Sequence, residues 1–210
     1  MAALPPPNLP PADLNSRTLR YVSIHPNQFL RISRHRSGEP YFGRAAANRF
    51  DDPNPNPALR FGTCYFGLNF KAAFAETVLH NLVSGPAGFS VPIDDITSRY
   101  ALRFEEKFPT RPLKLAKFYG EPLLLLGGDA ELMGTPYTSI TRQWAAAMAG
   151  HPDNIDGFVY FSRRMNDTMS VVVFERDSKA PPNIKLRDSD ELANHPGFAG
   201  AITRFRVTFT

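Results

Sequence analysis

Residues 65–80, YFGLNFKAAFAETVLH, constrain this chain most, because they read without interruption as the end of a strand, a tight turn and an amphipathic helix. Residues 62–66 supply the strand, Asn69 a helix N-cap, residues 72–83 the helix, and Gly85 with Pro86 its stop. Phe74, Ala75, Val78, Leu79 and Leu82 form one apolar stripe, and Glu76 lies well off its centre. Two readings of Glu76 stand at this point. It is either a solvated charge on the face away from the core or a carboxylate turned into a cleft.

Prolines punctuate the rest. Residues 1–16 carry five of them and little that packs, so they read as an extended arm, either disordered or laid on the domain or on a partner. Residues 18–24 and 28–32 read as short strands, and residues 37–57 as a long irregular loop around the Asn-Arg-Phe element at 48–50. Further strand candidates follow at 89–93, 100–104, 113–118 and 123–126. A second helix spans 139–149, between Pro136 and Gly150, and a hairpin joins 157–162 to 169–174. A polar tail at 178–200 leads to a last strand at 202–209. No repeat, heptad run or sharp change in composition divides the chain, so the pattern predicts one α+β domain with two main helices.

A chain of 210 residues with 42% hydrophobic content can bury a substantial core. Its net charge of +4 and pI near 9.3 favour anionic partners without selecting among nucleic acid, membrane surface and small molecules. The basic residues are spread out, with no phosphate-binding tail. The one cysteine, Cys64, excludes an internal disulfide and a multi-thiolate metal site and leaves a buried small hydrophobe or a nucleophile, the apolar strand-like run around it favouring burial. The histidines lack ligand-like spacing, and neither a phosphate-loop lysine, a dinucleotide fingerprint at Gly127 nor a GxSxG element occurs. The first residues lack a signal-peptide pattern, and the four leucines at 123–126 are too few to span a bilayer, which predicts a soluble, cytoplasmic protein.

What remains is a set of polar residues embedded in apolar strands or their loops. Arg31 ends a strand, Arg49 lies in the long loop, Tyr65 ends another strand, and Ser162 closes FVYFS with Phe158 and Tyr160 on one face. Each has an ordinary explanation on its own: a surface ion pair, packing at a sheet margin, or strand termination.

Together these residues resemble the RES-domain family, toxins of bacterial toxin–antitoxin pairs named after an Arg, a Glu and a Ser. The family's opening arginine matches Arg31 in FLRIS, its loop arginine Arg49 in ANRF, its strand tyrosine Tyr65, its helix glutamate Glu76, and its glycine-led strand ending in serine DGFVYFSRR, hence Ser162. The loop motif departs from the family pattern: Asn precedes Arg49 where Gly is usual, and a long Pro/Asn-rich insertion follows. Arg44 is therefore the other candidate for the loop arginine.

The resemblance implies a compact single domain over residues 17–210, with a mixed, mainly antiparallel sheet core and flanking helices, similar to the ADP-ribosyltransferase toxins. It also implies NAD as substrate, without a metal. Glu76 is expected to stabilise the positive charge that develops on the ribose as the nicotinamide bond breaks. Arg31 and Arg49 are expected at the pyrophosphate, Tyr65 as a stacking face for nicotinamide, and Ser162 as a hydroxyl for ribose or acceptor. The implied catalytic set is Glu76, Ser162 and Arg31. The family acts by hydrolysis or phosphorolysis of NAD, or alternatively by mono-ADP-ribosyl transfer to a protein. It implies a helix-turn-helix, Xre-like antitoxin as partner, with toxin homodimers in the assembly and no membrane contact. A reading of another class, a basic nucleic-acid-binding module, rests on the pI alone.

Overall fold

The strand of the opening stretch, β3 (Gly62–Gly67), lies inside an eight-stranded sheet. The computed structural model describes residues 7–109, 111–136 and 138–210. The other strands of this sheet are β1 (Tyr21–Ile24), β2 (Leu30–Ser33), β5 (Tyr100–Glu105), β6 (Leu113–Lys117), β7 (Gly157–Phe161), β8 (Met169–Glu175) and β9 (Lys185–Glu191), in the order β1-β6-β7-β8-β3-β2-β5-β9. Every neighbouring pair is antiparallel except β6–β7. That parallel pair needs a crossover, which α3 (Gly120–Leu125), α4 (Glu131–Gly134) and α5 (Thr138–Ala149) supply. The molecule is thus a compact α+β domain with a mixed, mainly antiparallel sheet.

Alternation along the strands divides the core. On one face Phe158, Val172 and Phe174 pack under α5 through Trp144 and Met148. On the same face, across the sheet, Leu30 and Ile32 pack under α1 (Phe70–Thr77) and α6 (Phe198–Phe205), where Phe74 and Phe205 stack at 6.0 Å. The opposite face buries Cys64, Phe66, Leu102, Phe104, Leu113 and Val173. Burial pushes the Cys64 thiol up to about 12, so it stays protonated and inert.

Several boundaries differ from the sequence expectation. Helix α1 starts two residues earlier than expected and stops at Thr77, although Asn69 does cap it, accepting from the Ala72 N–H at 2.8 Å. Past Val78 the chain tightens into turns that still bury Leu79, so the apolar stripe outlasts the helix. The leucines form the end of α3 and its C-cap, Leu126, not a strand: Leu123 and Leu126 are buried while Leu124 and Leu125 are exposed, a helical spacing. The first half of the expected last strand, residues 202–205, belongs to α6, whose Phe198, Ala201, Ile202 and Phe205 recur at helical intervals. Only β10 (Val207–Phe209) is extended, and it pairs in parallel with β4 (Phe89–Val91) in a separate small sheet. Edge strand β9 lies in the polar tail and was hidden because little of it is buried.

Of the proline-rich arm, residues 1–6 lie outside the described residues. The part that follows is laid on the domain. Asn8 O accepts from Trp144 Nε1 at 2.8 Å, Leu14 is 2% exposed, and buried His151 donates from Nε2 to Leu14 O at 3.2 Å and Arg17 O at 3.1 Å. Among the described residues no helix is long and apolar enough to cross a membrane.

Candidate functional site

The sheet splits between β2 and β3. Their ladder holds only the Leu30–Gly67 pair, and Gly43 takes the edge of β3 again at Thr63. Between these points Arg31 Nη1 donates to Tyr65 O at 3.2 Å, filling a gap in the ladder with a side chain. The split opens into a cleft of about 650 Å³. Its floor is one register row across four strands, Leu30, Gly67, Ser170 and Tyr160. The two central members are small, which gives the trough its depth. Gly67 is required there: a Cβ would meet Ala73 N at 2.7 Å, where the strand runs into the first turn of α1.

Glu76 lines this cleft from α1, its side chain 22% exposed. It is the only carboxylate among the described lining residues, set among five arginines. Its Oε1 accepts from the Ser162 hydroxyl and, at 3.2 Å, from the Arg164 N–H. Nδ1 of His80, one helical turn on, stands 3.7 Å from Oε2, a spacing for an ion pair rather than a hydrogen bond. Burial pushes the Glu76 carboxyl up. His80, Ser162 and the Arg164 N–H outweigh it and hold the group below the usual glutamate range. The solvated reading of Glu76 is therefore replaced by that of an ionised carboxylate in a cleft. Ala72, on its flank, is fully buried and leaves no opening; Ala73 forms part of the wall.

Ser162 does not line the cleft. It is 1% exposed, and its hydroxyl also accepts from the N–H groups of Arg164 at 3.2 Å and Met165 at 3.1 Å. Its hydroxyl, expected from sequence at ribose or acceptor, is directed at Glu76 from behind the cleft wall. Arg31 lines the cleft, but its Nε is engaged by Glu39 at 3.2 Å. The Glu39 carboxylate, 1% exposed, also accepts from Ser33 Oγ and Tyr41 N, each at 2.8 Å.

The long loop is organised by Asp51, 2% exposed, whose carboxylate accepts from Ala47 N, Asn48 N, Thr63 Oγ1 and the Tyr65 hydroxyl at 2.5–2.9 Å. The Tyr65 oxygen in turn accepts from the Phe50 N–H at 3.1 Å. Burial, with Asp51 adding to it, holds the Tyr65 phenol well above its ordinary range. Tyr65 thus lines the cleft while its hydroxyl fixes the loop that carries Arg49. Arg49 also lines the cleft and donates to Leu132 O at 3.0 Å, whereas Arg44 turns away to pair with Glu175 at 3.0 Å.

Sequence reasoning did not find Asp51, Glu39, Tyr160, Ser170 or Arg163 as parts of the site. The signal for Asp51 was present: a carboxylate in a loop beside buried aromatics must collect donors. Among the described residues no cluster of three or more His, Cys, Asp or Glu is arranged to hold a metal ion.

Fold and cleft together define an α+β domain with a split sheet and one ionised carboxylate set among arginines. The family model described as RES domain matches residues 22–193, most of the chain, and the protein belongs to the RES-domain family. Its fold is similar to a chain in the crystal structure of the M. tuberculosis MbcT–MbcA toxin–antitoxin complex, with a TM-score of 0.58 and 13% identity over 92% of this chain and 94% of that one. At that identity the likeness is one of fold. No curated protein matches the sequence.

Proposed function

We propose that this protein is the toxin of a toxin–antitoxin pair and that it cleaves NAD at the nicotinamide–ribose bond. Membership of the RES-domain family supports the reading, as does the likeness of fold to a chain of a toxin–antitoxin complex. The observation that carries it is Glu76, held ionised in an arginine-lined cleft. A volume near 650 Å³ lies within the range of about 300–1,000 Å³ usual for small-molecule sites. Departure of nicotinamide leaves positive charge on the ribose. A fixed carboxylate stabilises that charge more than the ground state and needs no reorganisation as it forms. Ser162 and the Arg164 N–H hold the carboxylate in place, Tyr65 offers a ring face, and the arginines suit the diphosphate.

The partner in this proposal is a cognate antitoxin that restrains the activity in the host. Purified, antitoxin-free protein is incubated with NAD, with and without phosphate, and the products are resolved. Release of nicotinamide by the wild type and its loss in Glu76→Ala is the expected result. Intact NAD with folded wild type overturns the proposal, and a discrete protein band labelled from NAD in a lysate replaces it with ADP-ribosyl transfer.

A further inference from the structure

Strand β7 ends at Phe161, and the turn that follows is held by Glu76. Ser162 is tied through its hydroxyl to Glu76 and through its N–H to Thr168 O at 2.9 Å. Arg164 N–H reaches the same carboxylate. The two arginines of the turn then part. Arg164 Nη2 donates to Leu82 O at 2.6 Å, while Arg163 is exposed, lines the cleft and forms no hydrogen bond or ion pair with a described residue.

The other cleft arginines sort in the same way. Arg34 and Arg99 share Asp95, at 2.7 and 3.0 Å. Arg31 is bound by Glu39 and the Tyr65 carbonyl. Arg49 has one carbonyl partner and no carboxylate. Among the described residues neither Arg49 nor Arg163 has a carboxylate within ion-pair distance, and although Glu76 acts on Arg49 across the cleft, burial together with the charge of Arg163 pushes the Arg49 pKa down. Like charges held in one site are relieved by an anion between them. The floor supplies a second, independent sign. Ser170 Oγ is buried, 3% exposed, and faces Tyr160 across β7 and β8 without a well-formed hydrogen bond, although the two hydroxyls lie close enough to interact. A buried hydroxyl without a well-formed bond is ready to accept one from, or donate one to, a ligand.

We propose that Arg49 and Arg163, not Arg31, grip the diphosphate of the dinucleotide, with the Ser170 hydroxyl available to the ligand on the floor beside them. This rests on the NAD reading above and deepens it by naming the anion seat. Arg31 instead braces the split between β2 and β3. Because Glu76 holds the turn bearing Arg163, the protein itself fixes the spacing between the anion seat and the carboxylate that meets the ribose.

The test titrates ADP and adenosine into wild type, Arg163→Ala and Arg163→Lys, and measures NAD turnover by each. Wild type should bind ADP at least about tenfold more tightly than adenosine, as charge-assisted bonds to a diphosphate require. Arg163→Ala should lose most of that preference with adenosine binding unchanged, and Arg163→Lys should keep part of it. For NAD, KM should rise about tenfold with kcat within about threefold, the signature of lost uniform binding. Fluorescence of Trp144 checks the fold. An unchanged ADP preference and KM in Arg163→Ala, or no preference in wild type, overturns the seat and leaves the NAD reading standing. Arg163-dependent ADP binding without NAD consumption keeps the seat and removes the NAD reading.

Discussion

Ser162 donates its hydroxyl to Oε1 of Glu76, joining the end of β7 to α1 across 86 positions of sequence. The bond ties the only carboxylate among the described cleft-lining residues to the turn that carries Arg163. In the proposed reaction Ser162 acts through Glu76, as a positioning residue.

Glu76→Gln keeps an acceptor for Ser162 and the Arg164 N–H but removes the charge. NAD turnover should fall about 10²–10³-fold, the usual loss when one preorganised electrostatic partner of a transition state is deleted. The thermal midpoint should change little by comparison. Turnover assays beside a melting curve check both.

Ser162→Ala removes one of the contacts that depress the Glu76 pKa, so that pKa should rise. A depressed carboxylate contributes stability that is present above its unfolded value and is lost as pH falls through the folded value. In wild type the loss therefore lies below the reference value of 4.5, and in Ser162→Ala it should begin at higher pH, together with the acid limb of the activity profile. The hydroxyl bond to the charged Glu76 oxygen is lost, at a cost of about 1.5–3 kcal/mol, while the Met165 N–H keeps its bond to Ser162 O at 3.3 Å. A pH–rate profile and an acid titration followed by Trp144 fluorescence read both effects.

Asp51→Ala should destabilise more than Tyr65→Phe. The first strands several donors around a buried carboxylate site, each bond to a charged acceptor being worth about 1.5–3 kcal/mol; the second removes one hydroxyl, worth about 1 kcal/mol. Tyr65→Phe also frees the Phe50 N–H and loosens the loop bearing Arg49, so KM for NAD should rise. Urea denaturation and steady-state kinetics separate the two.

Leu14→Ala should cost about 2–4 kcal/mol, because this side chain is 2% exposed in the cluster under α5. The loss should appear as a lower urea midpoint with unchanged slope and as altered Trp144 fluorescence, since Asn8 O is held by the indole N–H.

That Glu76, Tyr65 and Arg49 line one cleft agrees with the sequence pattern, in which each breaks an apolar or loop run beside a clear element boundary. Asn69 as helix cap and the β7–β8 hairpin were legible for the same reason: turn and cap chemistry is local. The contacts of Arg31 and Ser162 were not. Nothing local to Arg31 announces that its guanidinium lies between Glu39 and the Tyr65 carbonyl. Ser162 reads as an open hydroxyl until its burial is known. Helix α6 was missed because Gly200, Ile202 and Thr203 lower helix propensity, which packing of Phe205 on Phe74 overrides.

The sequence by itself determined the α+β class, the strand–turn–helix that presents Glu76, the buried thiol of Cys64 and the family resemblance, since these rest on periodicity, local capping and composition. Only the tertiary structure decided that β2 and β3 part to make a cleft, that Leu30, Gly67, Ser170 and Tyr160 form its floor, and which arginines have counter-ions within it. Those outcomes depend on strand order, register and long-range contact between residues far apart in the chain, and a carboxylate such as Asp51 or Glu39 becomes decisive only when folding brings donors to it.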